Sequence, residues 1–219
     1  MAVPEDRSDI KVVVFDLGRV LLRICDDWRH ACRCAGVPLE PHVPDSDGKL
    51  RLRDYVFAHE VGKTTTDEFV SEVAPIMGIS PGQVRAMSEA FILGRYEGAA
   101  ELVDELCATG ITTACLTNTS EHHWAMLSQV GHRAYFPLHR LTYRFASHLI
   151  RARKPDDAAY AHVERATGVP GSAILFFDDV HENVVGAKKH GWQAIWIDAS
   201  LNDPLRQVRS ELRRHALVG

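Results

Sequence analysis

Short, unbroken runs of apolar residues recur along this chain, and stretches with helical periodicity separate them. Four runs have the character of strands buried on both faces: residues 11–15, 112–116, 173–177 and 194–197. Helices are predicted over about residues 97–109, 121–130, 156–167 and 181–190, and Gly110, Gly168 and Gly191 stand where helices commonly end. This alternation indicates right-handed βαβ units, so the sequence predicts an α/β fold with a parallel sheet covered on both sides.

The alternation stops between about residues 24 and 93, where helix starts replace buried strands. Thr65 and Glu68 have the spacing of a capping box, and so do Ser80 and Gln83. We therefore expect a core made of residues 1–23 and 94–219, with a helical insertion over residues 24–93 after the first strand. A second layer of this kind over a strand end usually acts as a lid. A last helix is predicted from about residues 202–204 to about residue 215.

Composition and charge narrow the class of protein. The 219 residues are 46% hydrophobic and 25% charged, which is the ordinary globular range. The formal net charge of −4 argues against nucleic acid or an anionic membrane as the main partner, because both need a basic face. No apolar run approaches about 18 residues, and the first ten residues lack the basic and apolar segments of a secretory signal. We therefore expect a cytoplasmic protein, whose oligomeric state the sequence leaves open.

The five cysteines are scattered and odd in number, which does not fit a disulfide framework. Cys32 and Cys34 are separated by one residue, whereas zinc knuckles usually have two or more residues between their thiols. We therefore expect reduced cysteines with structural roles.

The residues that end the predicted strands carry the candidate chemistry, because ligands of such sheets bind beyond the carboxyl ends of the strands. Asp16 follows the first predicted strand, and Thr117 and Asn118 follow the second. Asp178 and Asp179 follow the strand predicted over residues 173–177. Lys154 lies in a loop before a helix. Carboxylates gathered at one edge repel one another unless a cation lies among them, and hard oxygen ligands suit Mg²⁺. A lysine would hold phosphate oxygens, and a carboxylate could attack phosphorus.

Four segments carry a family resemblance. VVVFDLGRVL (12–21), LTN (116–118), RKPD (153–156) and FFDDVHEN (176–183) resemble, in order and spacing, the four motifs of the haloacid dehalogenase superfamily. The resemblance covers essentially the whole chain. It implies a Rossmann-like core, a helical cap formed by the insertion, and Mg²⁺-dependent phosphoryl transfer from a small phosphorylated metabolite.

The resemblance also implies roles for individual residues. Asp16 is then the nucleophile and a metal ligand, and Lys154 neutralises the phosphoryl group that Thr117 and Asn118 contact. The remaining implied metal ligands are the carbonyl of Gly18 and the carboxylates of Asp178 and Asp179, and the sequence does not decide which of the two carboxylates binds directly. Asn183 is expected to orient the acidic pair, and Arg19 could point under the cap toward the substrate.

Gly18 departs from the phosphatase pattern, which usually has a second aspartate there to protonate the leaving group. Loss of a general acid/base typically costs about 10²–10⁴ in rate. The favoured substrates would then need little protonation, as sugar 1-phosphates and acyl phosphates do, or a cap residue among Asp54, His59 and Glu60 would replace the acid. The alternatives are a catalytically impaired protein that binds phosphorylated metabolites, and a metal-free 2-haloacid dehalogenase, for which the pair of carboxylates at 178 and 179 has little use.

Overall fold

The helices and strands follow the predicted alternation along most of the chain. The computed structural model describes residues 9–38, 46–201 and 203–219. The strands are β1 Val12–Phe15, β2 Leu22–Ile24, β3 Ile92–Arg95, β4 Thr112–Thr117, β5 Tyr143–Ala146, β6 Ile174–Asp178 and β7 Gln193–Trp196. The α-helices are α1 Trp28–Ala35, α2 Ser46–Glu60, α3 Thr66–Met77, α4 Pro81–Ala90, α5 Ala99–Ala108, α6 Glu121–Ser128, α7 Ser147–Ile150, α8 Asp157–Thr167, α9 His181–Lys189 and α10 Pro204–Arg214. The predicted start of the last helix at residue 202, the first eight residues and residues 39–45 of the insertion lie outside the described residues.

Five strands form one parallel sheet in the order β5-β4-β1-β6-β7. The predicted α/β fold with a parallel sheet is therefore confirmed. The sequence analysis missed β5, because this edge strand has exposed positions at its start instead of a continuous apolar run. No helix among the described residues combines the length and apolarity that crossing a membrane requires.

The two faces of the sheet are covered by different helices. Val13 and Phe15 belong to the apolar cluster that includes residues of α5, α6 and α10. Val12 and Val14 belong to the opposite cluster, which includes residues of α8 and α9. Successive side chains of a strand point to opposite faces, so a strand between two layers must be apolar at every position. This explains the unbroken VVVF run and places the polar chemistry at the strand ends.

The inserted segment has an apolar cluster of its own. Helices α1, α3 and α4 contribute Cys32, Val73 and Met87 to it. Both predicted capping boxes are present: the side chains of Thr65 and Ser80 cap α3 and α4. Short strands also occur at both ends of the insertion. Strands β2 and β3 pair antiparallel across the expected boundaries, and each is too short to stand out in the sequence.

Candidate active site

The parallel pairing brings the chemistry-bearing strand ends together. Phe15, the last residue of β1, lies opposite Cys115 of β4 and Phe177 of β6. The next residue, Asp16, donates its backbone N–H to the carbonyl of Phe177 at 2.8 Å. Asp16 therefore lies between Thr117 and Asp178 at one edge of the sheet.

Lys154 lies in the middle of this group. Its Nζ donates to Oδ1 of Asp16 at 2.7 Å and to Oδ2 of Asp178 at 2.6 Å, and its side chain is only 1% exposed. The side-chain amide of Asn118 binds the backbone of Lys154. Its Nδ2 donates to the carbonyl of Lys154 and its Oδ1 accepts from the backbone N–H of Lys154, both at 2.9 Å. The loop that carries Lys154 is thus tied to the end of β4.

The two adjacent aspartates have different surroundings. The carboxylate of Asp178 accepts hydrogen bonds from Lys154, from the backbone N–H of Val180 at 2.8 Å, and from Nδ2 of Asn183 at 3.0 and 3.1 Å. The carboxylate of Asp179 is 11% exposed, lines the cleft and has Nη1 of Arg19 at 3.7 Å. Protein donors therefore occupy both oxygens of Asp178, while Asp179 faces the space where a ligand would bind.

The site carries more negative than positive charge. The site has three carboxylates, from Asp16, Asp178 and Asp179. Lys154 pairs with the first two, and Arg19 lies near the third at a longer distance. Burial, the Asp178 carboxylate and the Asp179 carboxylate raise the pKa of Asp16 to about 7 even though Lys154 opposes the shift. Burial and the neighbouring Asp178 also raise the pKa of Asp179 to about 6. Burial alone would lower the pKa of Lys154, but the two carboxylates in contact with it raise that pKa. Hard oxygen donors with a charge surplus suit a divalent cation such as Mg²⁺.

Arg19 connects the acidic site to the inserted segment. Its backbone has φ 54°, in the left-handed region that residues other than glycine rarely adopt. Its Nη2 donates to the carbonyls of Cys25 at 3.3 Å and Asp26 at 3.1 Å. With its other nitrogen near Asp179, the side chain bridges the strand ends and the start of the insertion.

Two adjoining cavities meet at the site. The catalytic cleft, of about 320 Å³, is lined by Asp16, Lys154 and Asp179, and a second cavity of about 300 Å³ extends under the insertion. The residues that line both are Gly18, Ile24, Glu60, Phe91, Thr117 and Asn118. Glu60 is the one ionisable side chain in this set.

Contacts at the carboxyl end of α2 hold Glu60 against the core. Its carboxylate accepts from Nε of Arg153 at 2.9 Å, and its carbonyl accepts from Oγ of Ser147 at 2.5 Å. Burial raises the pKa of Glu60, and Arg153 opposes the shift. Sequence reasoning named Glu60 only as one of three candidates and missed Arg153, although Arg153 directly precedes Lys154.

The other two candidates from the insertion, Asp54 and His59, do not line the catalytic cleft itself, although His59 lines the cavity under the insertion. Asp54 is exposed, pairs with Arg53, and lines neither cavity. The ring of His59 stacks on Phe69 with centroids 4.4 Å apart, and its Nε2 lies 3.1 Å from Oγ1 of Thr66. Burial and the neighbouring histidines lower the pKa of His59 to about 4, so its ring is neutral near pH 7 and cannot act as an acid there.

A parallel α/β core with carboxylates and a lysine at its strand ends defines a class of hydrolases, and the comparison with known families agrees. The family model of the haloacid dehalogenase-like hydrolases matches residues 10–191. The chain belongs to this family.

The chain is also similar to individual proteins, one by sequence and two by structure. Phosphatase MT3486 of Mycobacterium tuberculosis (strain CDC 1551 / Oshkosh) is 32% identical over 202 residues, which cover 87% of this chain and 88% of that protein. The crystal structure of the HAD family enzyme bt-2542 of Bacteroides thetaiotaomicron in complex with magnesium and inorganic phosphate superposes with a TM-score of 0.72. It is 21% identical and covers 87% of this chain and 95% of that one. L-2-haloacid dehalogenase of Xanthobacter autotrophicus superposes with a TM-score of 0.59 at 20% identity, covering 86% of this chain and 77% of that one.

Proposed function

We propose that this protein is a Mg²⁺-dependent phosphatase of small phosphorylated metabolites that acts through an aspartyl-phosphate on Asp16. The observation that carries the proposal is the buried contact of Lys154 with Asp16 and Asp178, beside the open carboxylate of Asp179. The phosphatase relative from M. tuberculosis and the magnesium and phosphate complex of the B. thetaiotaomicron enzyme support it.

The chain supplies the ligands and charges that this reaction needs. Asp16, the carbonyl of Gly18 and Asp179 would hold the metal, with Asp178 kept in place behind them by Asn183. When bound, Mg²⁺ supplies positive charge that offsets the phosphoryl oxygens. This assignment makes Asp179 the direct ligand of the adjacent pair, because protein donors already occupy both oxygens of Asp178.

The reaction then proceeds in two displacements. A carboxylate oxygen of Asp16 attacks phosphorus, the bond from phosphorus to the leaving oxygen breaks, and the leaving oxygen takes up a proton. Water attacks the aspartyl-phosphate, gives up a proton, and regenerates the carboxylate as inorganic phosphate leaves. Lys154 neutralises charge throughout, while Thr117 and Asn118 border the phosphoryl group.

Glu60 is the group that we assign to proton transfer in place of the missing aspartate at position 18. It lies where the catalytic cleft joins the cavity under the insertion, which is where the leaving group would sit. Its raised pKa favours the protonated form that a general acid needs. Because Glu60 belongs to α2, residues 24–93 would act as a cap that completes the active site.

The cavity under the insertion limits the leaving group. Most of the exposed lining of this cavity is apolar, with Trp28, Phe69, Phe91 and Leu127 among its walls, and polar side chains such as Ser88 and His123 form the rest. Apolar walls favour a leaving group with apolar carbon, because a hydroxyl-rich sugar would replace only part of the hydrogen bonds that it loses to water. Of the two classes that Gly18 suggests, acyl phosphates fit this cavity better than sugar 1-phosphates.

Phosphate release with Mg²⁺ and with EDTA tests the proposal. The wild type is compared with Asp16→Asn and Glu60→Gln on acyl, anomeric and simple alkyl phosphates, and Asp54→Asn serves as a matched acidic control on the same helix. We expect magnesium-dependent release that Asp16→Asn abolishes, that Glu60→Gln reduces on alkyl phosphates, and that Asp54→Asn leaves unchanged. Release that survives Asp16→Asn contradicts the assignment of the nucleophile.

Two other functions give different results in the same assay. A protein that only binds phosphorylated metabolites would show ligand-induced thermal stabilisation and no turnover in a folded sample. A 2-haloacid dehalogenase would release halide without metal, and the structural likeness to the X. autotrophicus enzyme supports including that substrate. The acidic pair at 178 and 179 favours the phosphatase.

A further inference from the structure

A second group of metal-ligand side chains lies at the start of the inserted segment, apart from the carboxylates of the active site. Cys25, His30 and Cys34 place one ligand atom each within 4.8 Å of one another. The sulfurs of Cys25 and Cys34 are 4.0 Å apart. Cys25 is buried, His30 is half-buried and Cys34 is exposed, so the group is open to solvent on one side.

The local structure explains why these three residues meet. His30 and Cys34 are four positions apart on α1 and therefore share one face of the helix. Cys32 lies on the other face, where its Sγ is 3.1 Å from Sδ of Met87. Asp27 caps α1 by accepting the backbone N–H of His30 at 2.7 Å, which orients the ligand face of the helix.

Cys25 lies beside this face of α1 because it directly follows β2. Its backbone N–H donates to the carbonyl of Phe91 at 2.9 Å, and its carbonyl accepts from Arg19. The short spacing of Cys32 and Cys34 suggested that neither cysteine binds metal. The tertiary structure pairs Cys34 with Cys25 instead, across nine positions of the chain.

We propose that Cys25, His30 and Cys34 form a binding site for Zn²⁺, with a fourth position open to water. Two thiolates bound tetrahedrally at about 2.3 Å from zinc lie about 3.8 Å apart, close to the observed 4.0 Å between the sulfurs. A disulfide would require the sulfurs to approach to about 2.05 Å. Thiolate and imidazole ligands select zinc, whereas the carboxylates around Asp16 suit magnesium, so the two sites discriminate between the metals.

Asp26 provides the outer contact that metal-binding histidines usually have. Its Oδ2 and its backbone nitrogen each lie 3.3 Å from Nδ1 of His30. With Nε2 bound to zinc, Nδ1 would carry the proton and donate it to the carboxylate instead of accepting from the backbone N–H. The carbonyl of Asp26 also accepts from Nη2 of Arg19, whose other nitrogen lies 3.7 Å from Asp179. A zinc ion would therefore fix the connection between β2 and α1 and, through Arg19, one wall of the catalytic cleft.

The experiment is metal binding to the whole reduced protein after treatment with a chelator. Zn²⁺ is titrated against a chromophoric competitor, and Co²⁺ is added to a second sample to detect thiolate-to-cobalt charge-transfer absorption. We expect one tight equivalent, a rise in melting temperature on adding zinc, and the same result in Asp16→Asn. Cys34→Ser and His30→Ala should each weaken binding by more than the roughly 10- to 100-fold expected for Asp26→Asn.

The control variants distinguish this site from nonspecific binding of zinc to exposed thiols. Cys107→Ser removes an exposed thiol elsewhere and should bind zinc like the wild type. Cys34→Ser and His30→Ala keep the test decisive if the buried Cys25→Ser variant fails to fold. Unchanged zinc affinity in both variants would overturn the proposal. So would a Cys25–Cys34 disulfide, found by mass spectrometry in the protein as isolated, combined with no zinc binding after reduction.

Discussion

Substitution of Gly18 by aspartate tests the proposed mechanism most directly, because an aspartate can be introduced there with little backbone strain. The backbone of Gly18 lies outside the left-handed region, so a side chain is allowed. A Cβ at this position would be 3.6 Å from Oδ2 of Asp16 and 3.1 Å from Cδ1 of Ile24. The end of the isoleucine side chain must shift by a few tenths of an ångström, and the new carboxyl group would then stand beside the nucleophile.

The expected gain follows from general acid/base catalysis. A positioned acid typically contributes about 10²–10⁴ in rate, which is about 2.7–5.4 kcal/mol of the barrier. Crowding against Ile24 costs folding stability, and overpacking of this kind typically costs about 1–3 kcal/mol. Since crowding affects stability and the acid affects the barrier, the melting temperature and the rate report them separately.

The assay compares alkyl and acyl phosphates in variants of positions 18 and 60. Glu60→Gln should lower kcat/KM for alkyl phosphates, and Gly18→Asp added to it should restore most of that loss. Acyl phosphates should change little throughout, because their leaving group needs little protonation. Gly18→Asn is the control, since it has the same shape but transfers no proton at neutral pH.

Two results would refute this reasoning. Equal rates for the aspartate and asparagine variants on alkyl phosphates, in folded protein with unchanged magnesium affinity, would show that a carboxyl group at position 18 transfers no proton. An unaffected Glu60→Gln variant would remove Glu60 from the mechanism while leaving the role of Asp16 intact.

Four further predictions concern the buried charges and the packing. Lys154→Met should abolish phosphate release and lower the melting temperature of the metal-free protein, because removing one partner of a buried ion pair costs about 3–5 kcal/mol; a variant that keeps both properties contradicts the proposed role. With the pKa of Asp16 near 7 and that of Asp179 near 6, protonation competes with Mg²⁺ at both proposed ligands. Calorimetry should therefore find the affinity about 10- to 20-fold weaker at pH 6 than at pH 8, with proton release on binding. The raised pKa of Asp16 also means that metal-free protein loses stability as pH rises from 3.8 to about 7, and a flat profile would place the proton elsewhere. Gly171→Ala should lower the free energy of unfolding in denaturant titrations, because the new Cβ would lie 2.1 Å from the carbonyl oxygen of His190. Gly82→Ala in α4 is the control, because a Cβ there meets only Oγ of Ser80 at 3.9 Å. It should be neutral or stabilising by up to about 1 kcal/mol.

Local patterns in the sequence were enough to predict most elements of the core and the residues that follow its buried strands. A strand covered on both faces must be apolar at every position, so β1, β4 and β6 are visible as unbroken runs. The helix caps at Thr65 and Ser80 are equally local, because their hydrogen bonds join residues three positions apart. Parallel pairing then requires the residues that follow these strands to share one edge.

Contacts between distant parts of the chain account for the features that no local pattern predicted. The edge strand β5 and the β2–β3 pair are short or partly exposed, so no periodicity marks them. The position of Glu60 at the junction of the two cavities involves a contact with Arg153, 93 positions away. The closeness of Cys25 and Cys34 depends on the position of the end of β2 relative to one face of α1. A sequence pattern specifies which face of an element a residue occupies, but only the packing of the elements specifies which other residue it meets there.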